Sequence, residues 1–229
     1  MTHPQTNAES VDLHRHFSVR HYWRGNNRHI LQTIANITGC SVMGPDGERF
    51  PMDSRRPCKV HHLVPDKCSG LLGNLGRLWT KLQETEPTPH HTVAYDIAAW
   101  TPIALPPPEL DQMVQDFANE TWVSFGAAVI VSIVPAEDID IGRTNLIRFF
   151  VTAKRVGTPQ IGRPFAKWRE PETHERWTVN WLEANHRQAS ALLERGTWPK
   201  SRHSELQAIL KDIRSKNDLF RTRHEIPRI

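Results

Sequence analysis

A chain of 229 residues, 38% of them hydrophobic, is long enough to bury a substantial core without a disulfide or metal staple. Its three cysteines, Cys40, Cys58 and Cys68, fit no zinc spacing, and their odd number argues against a secreted disulfide framework. No apolar run reaches the roughly 20 residues of a membrane helix, so no membrane partner and a cytoplasmic location are expected.

The segment from Leu13 to Trp23 mixes polar and apolar residues as an exposed first strand does, although His14, His16 and Arg20 interrupt the alternation. After Asn27, a residue suited to capping, Ile30, Leu31, Ile34, Ala35 and Ile37 recur at helical spacing, and Gly39 supplies a stop. Pro45-Asp46-Gly47 is a turn between Val42 and Phe50, because proline presets one backbone angle and glycine accepts a positive one. Val60 to Val64 reads as a short strand. Leu71, Leu72, Leu75, Leu78, Trp79 and Leu82 then mark a helix with one apolar stripe.

Thr92 to Leu105 is rich in strand formers and is broken at Pro102 and at Pro106 to Pro108, which precede a helix over Glu109 to Glu120. The nearly unbroken apolar run from Trp122 to Val134 predicts a central strand covered on both faces. Asn145 to Val156 is its expected antiparallel neighbour across the acidic loop Glu137-Asp138-Ile139-Asp140. Beyond Pro171 the pattern turns helical, with Trp177, Trp181, Leu182, Ala184, Ala189 and Leu192 in one run to Gly196, and a second helix starting near Ser201 or Ser204. Interleaved strands and helices with a helical end predict an α+β fold around an antiparallel sheet. The expected organisation is an α+β domain over residues 1–170 and a C-terminal helical part, 171–229, packed on it or following it.

The net charge of +4 permits a nucleic-acid partner without demanding one, and its distribution says more. Lys200 to Ile229 holds eight Lys or Arg against four acids. A second basic group is Arg148, Lys154, Arg155, Arg163, Lys167 and Arg169. Trp168, between two of these cations, is the best candidate for stacking on an unpaired base, whereas Trp79, Trp122, Trp177 and Trp181 fall on apolar stripes or runs. Of the thirteen histidines, His61-His62 and His90-His91 are adjacent pairs, which in a strand point to opposite faces. His14 and His16 do share a face, so His14, His16 and His61 form one conceivable metal site; surface or strand-end histidines are the plainer reading, and no cofactor is expected.

One strand carries a resemblance. Thr144-Asn145-Leu146-Ile147-Arg148-Phe149-Phe150-Val151-Thr152-Ala153-Lys154-Arg155-Val156-Gly157 resembles the metal-binding strand of the MobA/MobL family of plasmid relaxases, in which alternating histidines hold a divalent cation beside the scissile phosphate. Further matches follow in order: Ala35-Asn36-Ile37-Thr38-Gly39, Ser54 to Pro65, Arg77-Leu78-Trp79, Ile103-Ala104-Leu105-Pro106 with Glu109-Leu110, then Trp177, Trp181, Asn185 and Ser204-Glu205-Leu206, about residues 12 to 209 in all. The resemblance implies a relaxase-like sheet flanked by helices and DNA as the partner, single-stranded or from a plasmid origin, alongside relaxosome or other proteins.

The family chemistry is attack by a tyrosine phenolate on a phosphodiester beside a bound cation. Carried over, the family tyrosine falls on Asn36, the strand histidines on Leu146 and Arg148, and the third histidine near Ile133. Family glutamates fall near Trp100 and Pro102. The expectation is therefore a pseudo-relaxase that binds DNA without nicking it, Arg148 offsetting phosphate charge or facing a neighbouring acid such as Asp138 or Asp140. Two alternatives stand beside it. One is a divergent nickase using Tyr22, which lies in His21-Tyr22-Trp23-Arg24 and is one of only two tyrosines, Tyr95 being the other; aromatic packing is Tyr22's plainer role. The other is a protein-interaction module that kept the fold and lost DNA.

Overall fold

The computed structural model describes residues 17–23, 30–44, 46–52, 59–68, 75–85, 91–101, 105–134, 145–157, 161–197, 211 and 215. Five strands form one antiparallel sheet in the order β1-β5-β7-β6-β4: β1 (Phe17–Trp23), β5 (Thr92–Trp100), β7 (Leu146–Thr152), β6 (Val129–Val134) and β4 (Lys59–Leu63). Two short hairpins accompany it, β2 (Val42–Met43) with β3 (Arg49–Phe50) and β8 (Lys154–Val156) with β9 (Ile161–Pro164). The helices are α1 (Ile30–Thr38), α2 (Leu75–Glu84), α3 (Pro107–Thr121) and α4 (Pro171–Glu194).

Strand alternation divides the core in two. On β7, Ile147, Phe149 and Val151 point to one face and join Tyr95, Ile97, Val129 and Val131 beneath α3 and α4. Phe150 points to the other face and packs with Ala94, Ile130 and Tyr22 beneath α1 and α2. On α3 the buried residues Leu110, Met113, Val114, Phe117, Ala118 and Thr121 follow the helical period, so one stripe meets the sheet.

α4 is bound into the first core by its tryptophans. Trp181 is fully buried, lies against Phe117 and Phe149 with ring centroids 5.1 and 5.8 Å away, and donates its indole N–H to the Trp100 carbonyl at 3.0 Å. Trp177 meets Trp122 edge to face at 5.5 Å. Buried aromatics in such offset geometries bring large apolar areas together with an added quadrupole attraction.

Two sequence expectations are corrected. Trp122 to Val134 is not one strand: Trp122 caps α3 through its N–H to the Ala118 carbonyl, Val123–Phe125 make a 3-10 turn, and the strand begins at Val129. Gly126, with φ of 97°, ends the turn in a conformation other residues avoid. Nor is Asn145 to Val156 one strand, because the chain leaves the sheet at Ala153 and Lys154–Val156 pairs with Ile161–Pro164 instead. Thr152 fixes that bend, its hydroxyl donating to the Lys154 carbonyl at 2.9 Å and accepting from the Ala128 N–H at 3.1 Å. The expected terminal helix from Ser201 and the basic tail, apart from Lys211 and Ser215, lie outside the described residues. Among the described residues no helix is long and apolar enough to cross a membrane.

Candidate functional site

Directly paired residues of an antiparallel sheet share a face, so the register places side chains on the α1 and α2 side in rows across the strands. One row runs Arg20, Asp96, Phe150, Ile130 and His62. The next runs Ser18, Ala98, Arg148, Ser132 and Val60, followed by Trp100, Leu146 and Val134. Phe150 and Ile130 belong to the second core. The polar members of these rows form a strip from edge to edge of the sheet: Ser18, Arg20, Asp96, Arg148, Ser132 and His62.

Arg148 donates from Nη2 to Asp96 Oδ2 at 2.7 Å, and the two side chains keep 30% and 19% of their accessible surface. The acid that Arg148 faces is thus Asp96, while Asp138 and Asp140 lie outside the described residues. Three further atoms of the strip are buried without a hydrogen-bond partner among the described residues, namely Asp96 Oδ1, Ser132 Oγ and His62 Nε2. Buried polar groups carry a desolvation cost unless partnered. Burial pushes the His62 pKa down to about 4, which leaves its imidazole neutral at pH 7. The strip therefore offers one neutralised guanidinium, the exposed Arg20, and neutral donors and acceptors.

The other residues expected from the sequence lie elsewhere. Leu146 shares the strip's face, but Ile133 pairs with Ile147 and points into the α3 and α4 core; its neighbours Ser132 and Val134 face the strip. Asn36 lies on α1 and accepts a hydrogen bond from Gln32 Nε2 at 3.1 Å. Tyr22 is 7% exposed and packs edge to face on Phe150. Tyr95 is fully buried on the opposite face, where burial outweighs the neighbouring Arg169 and pushes its phenol up to about 12. His61 faces α3 and bonds to Asp111 Oδ1 at 2.5 Å, with Lys59 Nζ on Oδ2 at 2.8 Å. Burial opposes ionisation of Asp111, yet these two partners hold its carboxyl below the usual range. His14 and His16 lie outside the described residues, among which no group of three metal-ligating side chains occurs.

The basic group divides. Arg163, Lys167 and Arg169 are exposed, Lys154 is half-buried, and Arg155 is exposed with its guanidinium 5.7 Å from the Phe165 ring centroid. Trp168 is half-buried, with one ring face stacked on Phe165 at 3.6 Å and its edges against Tyr95 and Trp177. Beside it His174 bonds the Trp168 carbonyl at 2.7 Å and meets His21 at 5.6 Å; burial, foremost, lowers both imidazole pKa values.

The sequence matches no protein-family model and no curated protein. The chain is similar to a solved structure reported as "Molecular Basis of Vancomycin Resistance Transfer in Staphylococcus aureus", a relaxase-type protein, with a TM-score of 0.65 and 16% identity. The similarity covers 79% of this chain and 93% of that one. The fold is relaxase-like. At that identity the likeness carries the architecture alone, and the chemistry has to be read from this chain's own side chains. Of the strip's six residues only Arg148 was singled out as a site residue in the sequence; Ser18, Arg20, Asp96, Ser132 and His62 were missed. The signal for Asp96 was present, an acid in the middle of the apolar strand Thr92–Trp100; Ser132 and His62 emerge only with strand register.

Proposed function

We propose that this protein is a relaxase-like DNA-binding protein associated with plasmid mobilisation, one that holds single-stranded DNA without nicking it and is not an enzyme. The Arg148–Asp96 pair carries this reading. Arg148 stands where the family resemblance puts a metal-binding histidine, and it brings its own positive charge there, paired with the Asp96 carboxylate. A guanidinium can bind a phosphate through paired hydrogen bonds but supplies no metal-bound activation. Cleavage also needs a phenol within reach of the phosphate. Tyr22 is packed against Phe150 under α1 and α2, and Tyr95 points into the opposite core, which speaks against a nickase built on either. The exposed cations Arg155, Arg163, Lys167 and Arg169 would contact phosphates in a salt-dependent way.

The test is binding of fluorescent single-stranded and duplex oligonucleotides across a salt series, with and without magnesium or manganese, followed by a denaturing gel. Binding that weakens with salt and leaves every strand intact is the expected result. Cleaved or covalently attached strands, lost in Tyr22→Phe, would replace this reading with a working nickase. No binding to either form would leave a protein-interaction module.

A further inference from the structure

At the end of the sheet where β4 and β7 finish and β6 begins lies a cleft of about 980 Å³, away from the Trp100 and Leu146 end of the polar strip. Pro65, Asn119, Phe125, Arg155 and Gly162 are among its walls. A volume of this order accommodates a small-molecule-sized group.

Two wall residues are presented in an unusual manner. Phe125 is 57% exposed, the most exposed large apolar side chain among the described residues. Its backbone is nonetheless firmly held: its N–H donates to the Trp122 carbonyl at 3.1 Å, Gly126 N–H donates to Val123 at 2.8 Å, and Trp122 itself is fully buried. Arg155 is fixed relative to it, because the adjacent Val156 N–H donates to the Gly126 carbonyl at 2.7 Å. The Arg155 stem passes over two glycines. A Cβ at Gly126 would meet it at 3.6 Å and one at Gly162 at 3.1 Å. Its guanidinium rests toward Phe165 and has no carboxylate partner among the described residues. An exposed aromatic side chain and the stem of an arginine that has no carboxylate partner among the described residues thus share a single cleft, with the guanidinium beside it over Phe165.

We propose that this cleft is a subsite for an unpaired nucleotide of single-stranded DNA, its base stacking on Phe125 and its phosphate bonding to Arg155. The proposal rests on the DNA-binding reading above and names the contact that would distinguish single strands from duplex. Stacking is tolerant of base identity because every base has a π-face, and the guanidinium's planar donors match phosphate oxygens. Arg155 and Asp66 are the charged residues of the cleft wall, and Arg163, exposed on the same hairpin as Arg155, adds a second cation there. Trp168, by contrast, already has one ring face stacked on Phe165 and its edges against Tyr95 and Trp177.

The experiment uses the full chain and a fluorescein-labelled thymidine oligonucleotide of roughly 10–20 nucleotides, beside a duplex of equal length. Phe125→Ala is expected to weaken single-strand binding by on the order of 5- to 100-fold while duplex affinity stays near its starting value, and Phe125→Tyr to retain binding. Arg155→Ala is expected to lower the slope of log affinity against log salt by about one. Cross-links from 5-iodouracil should map to the peptide holding Phe125. If the unaltered protein binds DNA and Phe125→Ala binds it equally well, the subsite is wrong and the DNA-binding reading stands. If the unaltered protein binds no DNA, both fall. An effect of Phe125→Ala on self-association alone, read by sedimentation, assigns the surface to protein contact and overturns the subsite.

Discussion

Arg148 and Asp96 are bonded at 2.7 Å along a diagonal of the sheet, from the middle of β7 to the middle of β5, so that the central cation of the strip is matched by an acid two residues away from its direct cross-strand partner Ala98. Coulomb attraction at that distance is large only where solvent is partly excluded, as it is here.

Asp96→Asn removes the matching charge and keeps the shape. Its expected effects are opposite in sign: DNA affinity rises severalfold at low salt as Arg148 becomes free to meet phosphate, while stability falls by about 1–3 kcal/mol. Fluorescence anisotropy and urea unfolding measure the two. Arg148→Ala should lower both, and a variant pair that moved affinity in the same direction would remove Arg148 from the interface.

Acid should begin to destabilise the fold above the pH at which ordinary carboxylates titrate. His62 has its pKa lowered by burial from 6.5 to about 4, so the unfolded chain binds the proton that the native chain refuses. Stability is then fully present above 6.5 and is lost as pH falls toward 4, by about 3 kcal/mol for a shift of this size. His21 and His174, also lowered, act in the same direction. The urea midpoint should rise with pH across this window, and His62→Gln should flatten the rise; an unchanged profile would detach His62 from it.

Ending the chain after Glu170 is expected to prevent folding, not merely to trim a helix. Trp177 and Trp181 are 4% and 0% exposed and their rings meet Phe117, Trp122 and Phe149. Each large aromatic deleted from a core costs about 3–5 kcal/mol, against a total near 5–15. Loss of the cooperative thermal transition by circular dichroism checks this, and Trp181→Phe should cost far less than Trp181→Ala.

Two glycines beside Arg155 should separate strain from contact. Gly126→Ala forces a side chain onto φ of 97°, costing about 1 kcal/mol or more, yet its Cβ meets Arg155 at an ordinary 3.6 Å. Gly162→Ala carries no such strain but sets a Cβ 3.1 Å from that of Arg155. Thermal unfolding should report mainly the first substitution and salt-dependent oligonucleotide binding mainly the second.

Much of the fold was legible because periodicity and core burial coincide. The run Ile30 to Ile37 alternates as one helical face must, and that face is the one buried in α1. Trp122 to Val134 misled for a physical reason: hydrophobicity is equally high in a buried helix cap, a 3-10 turn and a strand, and only Gly126 hints at the break. The candidate site was half legible. Arg148 stood out because the family resemblance puts a metal-binding histidine at its position, but its partner lies 52 residues earlier and depends on which strands pair. Phe125 and Trp168 exchanged expectations because exposure is a tertiary property; the tryptophan flanked by cations stacks on Phe165, and the phenylalanine inside an apolar run reaches solvent.

The two-residue period of β7 lets one strand serve two unrelated selective demands. Ile147, Phe149 and Val151 answer to the core beneath α3 and α4, while Leu146 and Arg148 face away from it. Replacing a side chain on the second set changes what the surface can bind without opening a hole in the first. An ancestral chemistry on such a strand can be erased, or a different one installed, by changes at alternate positions that the folding of the molecule hardly registers.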